Sequence, residues 1–507
     1  HIGKSLFIFF MRSSKLFITI GACVVIFVFA GFVFWSLTQR AEALSISSVK
    51  SGNWSDASVW NTNSVPKAGD SVTIASGHSI AYNIFSDAVL GGVTVEGTLK
   101  FSRSVNTRLK TNNNIIVEFG GFLDMGTASD YIPKNVRAEV IWVLTQSQAN
   151  AYVGGFDFNV ADKGLWAMDG GRWEVYGSPL MRTWSKLDGD ASAGSATVTV
   201  ENNVTDWPVG GTVVVSSTRV KTDSTSQNEV RTIQSVTGLS GGKTKITLSS
   251  PLSFKHDGVA PFRGEVALLT RNVLLKTELA GVSESVYPND VSARKFAHTM
   301  YMPGSKGNIQ YVEFKYMGHY GTLSRYAIHP HMMLETSNGM VIRGTSGWYN
   351  GFRCVNLHAS HGILIEDNVC FSSYSTSYFV ELDRTGTVFN EDHAFVHNIG
   401  IGMLPTPFSE RSNGAIAGES RRAAVDYWPG TSGSEAFLGN IAVGDGGSGD
   451  WGSQGFHWQE LGSEMIGRAG VMPITILHNE VHSKKDFGIY AWPNAVGGET
   501  DIVDSLF

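Results

Sequence analysis

Four segments in the second half of the chain repeat one another: "ILIEDNVCF", "AFVHNIGIG", "AFLGNIAVG" and "ITILHNEVH". Each is an apolar strand, then a polar pair ending in asparagine (Asn368, Asn398, Asn440, Asn479), then as a rule an apolar residue. The asparagines are 30, 42 and 39 residues apart. A coil of parallel strands tolerates unequal rungs, because loops inserted at its corners lengthen a rung without breaking the stack. An asparagine after each strand suits a tight corner, where its side chain bonds backbone groups and the residue tolerates a left-handed conformation.

The rest of the chain reads as strand and turn. Stretches such as "DSVTIASGHSIAY" and "GGVTVEGTLKFS" alternate apolar and polar residues between Gly, Asn, Asp and Ser, and the 507 residues include 57 glycines. Past the N-terminal segment no long amphipathic helix is legible, so the fold class is all-β. The expected division is 1–45 as a hydrophobic segment with flanks, 46–175 as a glycine-punctuated β module, 176–264 as a small antiparallel β domain, and 265–507 as a parallel β-helix that stops soon after a rung-like segment, as a truncated coil would. Trp54 and Trp60 are expected to be core, and Asp56 and Asp70 turn residues. "NWS" and "NVT" fit the short N-glycosylation acceptor pattern.

From Leu16 to Leu37 no residue is charged, which is long enough to cross a bilayer as one N-terminal hydrophobic helix. Arg12 and Lys15 would remain cytoplasmic, and Met11 is a plausible start. "AEA" at Ala41–Ala43 also fits signal-peptidase cleavage. Signal anchor and signal peptide both export the remainder of the chain, to the cell surface or the extracellular space. With a net charge of −6 the chain does not invite nucleic acid. Of its three cysteines, Cys354 and Cys370 can pair, but two buried thiols are expected, and the fold is not read as stapled by disulfides.

Chemistry concentrates in "SRYAIHPHMMLE", Ser324–Glu335. Read as a strand, Tyr326, Ile328, Pro330 and Met332 share the inward face, and Arg325, His329 and His331 project outward together. Pro330 removes one ladder donor and marks an edge, a bulge or a distorted rung. The next rung brings Arg353, His358 and His361, and the one after it Glu381, Asp383 and His393. Arginine suits a uronate carboxylate, and histidine can move a proton near neutral pH. Hydrolysis calls for two carboxylates, with Glu381 joined by Asp367 or Asp383. Elimination would instead use an arginine and a histidine or tyrosine base. A structural role, with histidines satisfying corner backbone, is the bland alternative. Zinc or copper could use His-x-His and two further histidines, but no compact signature is present; no cofactor is assigned, with a divalent cation as an option.

These blocks, taken in order, resemble one family. "GNWSDASVW", "VPKAGDSVTI" and "GHSI" look like the opening of a G-8 domain. "DWPVGGTVVVSST", "NEVRTIQSV" and "GEVALLTRNV" resemble the segments that follow it in the cell-migration-inducing and transmembrane hyaluronidases. "SRYAIHPHM", "FRCVNLHASHGILIEDNVCF", "SYFVE" and "HNIG" resemble that family's β-helix core. The resemblance implies a G-8 domain, a small β domain and a right-handed parallel β-helix outside the cell, acting on hyaluronan or a similar acidic polysaccharide. Matched motif positions are Arg325, Tyr326, His329, His331, Arg353, His358, His361, Asp367, Asn368 and Glu381. The catalytic candidates are thus His329, His331, His358, His361, Glu381 and Asp367, and the substrate-binding candidates Arg325, Tyr326, Arg353, Asp383 and His393. Pro330 stands where the family has an aromatic, and "LDRTGTVFNEDHA" replaces an acidic stretch. A polysaccharide-binding or adhesion protein without catalysis is the alternative function.

Overall fold

The computed structural model describes residues 43–220, 227–261, 263–381, 392–404, 425–428, 436–444, 453–457, 475–485, 487–490 and 501–506. From Ser45 onward the described chain winds into a parallel coil with three walls. One wall is a twelve-stranded sheet and one a ten-stranded sheet; the third is two six-stranded runs, and every strand pair in these walls is parallel. Successive coils place equivalent residues above one another. Ile342, Ile365, Phe395, Phe437 and Ile476 pair in register along the twelve-stranded wall, all at most 1% exposed. Phe395 and Phe437 stack with ring centroids 4.6 Å apart, close to the strand spacing of a sheet.

The glycine-punctuated first region forms the opening coils of this same stack instead of a module apart. Strand Phe122–Met125 pairs with Arg172–Tyr176, which pairs with Lys306–Gln310, so the sheet runs on through residue 175. One hydrophobic core extends from Ile46 to Val481 and includes Trp54 and Trp60. Short apolar strands between glycine corners look alike in a hairpin and in a coil, so the sequence did not distinguish them. Asp56 caps a short 3-10 turn, and Asp70 accepts the Lys67 N–H at 2.8 Å.

An antiparallel sheet spanning Trp184 to Leu268 interrupts the coil. It has its own core around Val198, Trp207, Val213 and Ile246. Its other face, with Trp184, Val214, Ala267 and Leu269, packs on Trp348, Val369, Phe371, Ile399, Ile401, Ile441 and Val443 of the ten-stranded wall. That stretch of the wall is therefore buried on both sides, which accounts for unbroken apolar runs such as "IAV".

The expectation of free thiols is overturned, because Cys354 and Cys370 form a disulfide with Cα atoms 6.2 Å apart. Cys370 stacks on Gly347, and a Cβ at Gly347 would lie 2.4 Å from the Cys354 sulfur. The missing side chain makes the room, a coincidence of coils that residue spacing does not reveal. The one α-helix among the described residues is Gln146–Asn150, closed by a capping box from Thr145 and Gln148. Among those residues no helix is long and apolar enough to cross a membrane. The apolar run Leu16–Leu37 and Cys23 lie outside the described residues.

Candidate functional site

The third wall changes character at the Ser324–Glu335 stretch. Strand His298–Tyr301 closes the first six-stranded run, and His331–Leu334 opens the second. Between them the ladder thins to a single bridge, Tyr301 to Pro330, and Ile328 bridges onward to Val355 of the next strand. Pro330 has no N–H to give, but its carbonyl accepts the His358 N–H at 3.0 Å. Past His331 the register slips, and Met332 and Leu334 both take φ of 50°. Pro330 thus sits in an irregular rung, as its missing donor implied.

Register then does what the spacing suggested. His331 pairs with His358, and His358 with Glu381, on three adjacent strands. His331 Nδ1 and His358 Nδ1 are 3.0 Å apart. The His329 ring lies 4.9 Å from that of His331 and 6.4 Å from that of His358. All three histidines are at most 5% exposed. Burial holds His331 down to about 3, aided by His358 and Arg325, and holds His329 well below the usual imidazole range. Both rings are therefore neutral at physiological pH, with lone pairs that can ligate a metal, but they are too weakly basic to suit general acid or general base work there.

The wall is covered, which corrects the expectation that Arg325, His329 and His331 face outward. Arg325 is fully buried. It pairs with Asp162 at 2.6 Å, donates to the carbonyls of Gly155 and Asp157, and lies over the Trp166 ring. Asp162 in turn accepts the N–H groups of Val153 and Gly154. This fastens a strap whose Phe156 ring stacks on His331 and lies tilted against His358, with centroids 5.8 and 5.3 Å away. Arg325 is thus the strap's anchor and not a free ligand for a carboxylate. Ile328 joins the main core as expected, but Tyr326 packs in a separate cluster with Phe352, Tyr374 and Leu404, and Met333 takes the core place expected of Met332.

Arg353 is also buried, stacked on Phe379 at 3.5 Å and near Tyr326 at 4.8 Å. It donates to Asn356 at 2.6 Å and reaches Glu381 at 3.3 Å, and the Asn356 amide donates to the same Glu381 oxygen at 3.1 Å. His358 lies within strand Val355–Ser360.

The remaining candidates go elsewhere. His361 pairs with Glu335 at 3.0 Å, and His393 accepts the Ile363 N–H and is held near 3 by burial and by His361. Asp367 lies at the corner between the twelve- and ten-stranded walls, paired with His397 at 2.5 Å, while its carbonyl accepts the Thr183 hydroxyl of the antiparallel insert. Glu381 is held instead by Arg353 and Asn356 on the third wall, so the two carboxylates are not brought together as a pair. Asp383 lies outside the described residues. The sequence reading missed Phe156, Asp162, Asn356 and Glu335. Asn356 and Glu335 had proximity to recommend them; Phe156 and Asp162 come from more than 150 residues away and carried no signal.

Residues 59–188 match the G8 domain, and residues 295–489 match the CEMIP beta-helix. The chain is 24% identical over 402 residues to protein rliB of Dictyostelium discoideum, covering 77% of this chain and 33% of that protein. It is 25% identical over 467 residues to a G8 domain-containing protein of the same organism, covering 88% and 38%. Fibrocystin-L of Mus musculus is 25% identical over 366 residues, covering 65% of this chain and 8% of that one. The chain therefore spans well under half the length of these relatives. Among solved structures, the gp61 tailspike of Pseudomonas phage phi297 covers 82% of this chain and 71% of its own, with 9% identity and a TM-score of 0.20. The gp54 tailspike of Acinetobacter baumannii bacteriophage AP22, solved with capsular saccharide, covers 81% and 70%, with 9% identity and a TM-score of 0.18. A G8 match over the opening coils is thus followed by a CEMIP beta-helix match over the later ones, in the order its motifs suggested.

Proposed function

We propose that this chain is the core of an exported protein that binds and shortens an acidic, uronate-containing polysaccharide such as hyaluronan, at the wall formed by His331, His358 and Glu381. The observation that carries the reading is their register on three adjacent strands, with Arg353 beside the carboxylate. Arg353 and Asn356 fix Glu381 in place, and the two histidines supply neighbouring imidazoles. The Cys354–Cys370 disulfide supports an oxidising compartment, consistent with a surface-anchored or secreted protein. The uncharged N-terminal run would be the membrane contact.

Non-catalytic binding is the second reading. It is favoured by the engagement of Arg325 with Asp162 and by the Phe156 ring over the histidines. Incubation of purified protein with size-defined hyaluronan and other uronate polymers separates the two. Shortened chains support the enzyme, with absorbance near 232 nm from new unsaturated ends marking elimination over hydrolysis. Retained binding without shortening supports the second reading, and neither binding nor shortening rejects both.

A further inference from the structure

We propose that His329, His331 and His358 form a site for one divalent transition-metal ion of the zinc or copper kind, open at a fourth position. The metal site does not depend on the polysaccharide reading. The ligand nitrogens of the three imidazoles lie within 4.8 Å of one another. Around a tetrahedral zinc, with bonds of about 2.0–2.1 Å, they would be roughly 3.3 Å apart. The His331–His358 separation of 3.0 Å is already near that, and ring rotation can bring in the third.

The hydrogen bonding of His329 sets its tautomer. Its Nδ1 donates to the Ser324 carbonyl at 3.1 Å, which leaves the lone pair on Nε2. That nitrogen is buried and has no hydrogen-bond partner, and neither has His331 Nε2. Unpartnered buried acceptors are uncommon, and a metal would satisfy the one on His329. The backbone is bent to the same end on both strands. Met332, directly after His331, has φ of 50°, and Ala359, directly after His358, has φ of 42°. A left-handed conformation strains any residue other than glycine, and such strain collects at functional sites.

Charge around the cluster is compatible with a cation. Arg325 is the nearby positive group, and Asp162 pairs with it at 2.6 Å. Three neutral imidazoles leave a bound ion its full charge of about +2, and the fourth position beneath Phe156 would suit water or an anionic oxygen. A second cluster of ligand-type residues, Glu265, Glu480 and His482, makes the contrast. There the Lys186 ammonium already pairs with Glu480, so the chain provides its own cation.

The test is metal content, which does not depend on turnover. Untagged full-length protein is stripped with chelator and dialysed against Zn2+, Cu2+ or Ca2+, and bound metal is counted by mass spectrometry. The expected result is about one Zn2+ or Cu2+ per chain and no Ca2+ attributable to this cluster. Cobalt in place of zinc should give the visible absorption of a four-coordinate site. His331→Ala should reduce binding at least tenfold while circular dichroism shows a folded chain, and His361→Ala should retain the metal. If His331→Ala does not fold, His358→Gln gives the same reading. Wild-type protein that binds less than a tenth of an equivalent overturns the inference, as does metal content unchanged in folded His331 and His358 variants. Metal binding without shortening of any uronate polymer leaves this site standing and removes the enzyme reading; a wild-type chain that shortens the polymer but takes up no metal does the reverse.

Discussion

At the corner between the twelve- and ten-stranded walls, the Oδ1 of Asn398, of Asn440 and of Asn479 accepts the backbone N–H and the side-chain amide of the asparagine one coil earlier, and Asn368 Oδ1 accepts from Thr345. Asn368, Asn398, Asn440 and Asn479 join in this way at 2.9–3.0 Å. Each amide also donates to a carbonyl of an earlier strand, from Ile342 to Phe437. The third wall runs on the same coils and obeys a different rule. It has a slipped register and a stack of histidines in which His329 Nε2 and His331 Nε2 are left without partners. One side of the coil is saturated with hydrogen bonds and repeats; the other withholds them at chosen atoms and does not repeat. Satisfied ladders supply stability, and unsatisfied buried nitrogens supply reactivity at some cost in stability. Mutations at the two sides should therefore separate folding from function.

Asn398→Ala should have the largest effect. It orphans the Asn368 N–H and weakens contacts above and below, at about 1–3 kcal/mol per lost group, so denaturant unfolding should show a loss of about 4 kcal/mol. Arg325→Met comes next. It strands Asp162 inside the protein, for a loss of about 3 kcal/mol, and should free the strap carrying Phe156, read as protease sensitivity near residue 156. Replacing Cys354 and Cys370 together by Ser opens a loop closed across 16 residues, worth about 2–3 kcal/mol by the chain-entropy account, and should lower the melting temperature without moving the asparagine ladder. His358→Ala should cost least, about 1 kcal/mol, yet abolish polysaccharide shortening.

A pH series adds a further break. Burial holds His393 near 3 and His319 near 4 in the folded chain. Unfolded, both would titrate near the ordinary value of about 6.5. Between those limits the unfolded chain binds more protons, so stability is complete above pH 6.5 and falls as the pH drops towards 4 and then 3. His393→Gln should flatten that fall, measured as the unfolding free energy at pH 7 against pH 4.5.

The asparagine side was legible because a ladder requires the same residue in each coil. One detail differed: the left-handed residue is the one before each asparagine, namely Asp367, His397, Gly439 and His478, with φ of 55–64°. The alignment of His331, His358 and Glu381 was legible through strand register. The burial of Arg325 was not, since its partner Asp162 lies 163 residues earlier. Nor was the disulfide, which depends on a gap at Gly347 in the neighbouring rung. Alternation placed Ile328 correctly and then failed at Met332, where positive φ turns the strand. Sequence periodicity reports what one strand repeats, and the strap over the histidines is brought in by a different part of the chain.

One measurement decides whether the irregular wall, and not the ladder, meets the polymer. The direct measurement is the size distribution of hyaluronan after incubation with wild-type protein and with Glu381→Gln, which keeps the shape and the Arg353 contact while removing the charge. Wild type should shorten the polymer, and the variant should slow this at least a hundredfold while circular dichroism shows a folded chain. Shortening by Glu381→Gln at the wild-type rate would contradict that reading.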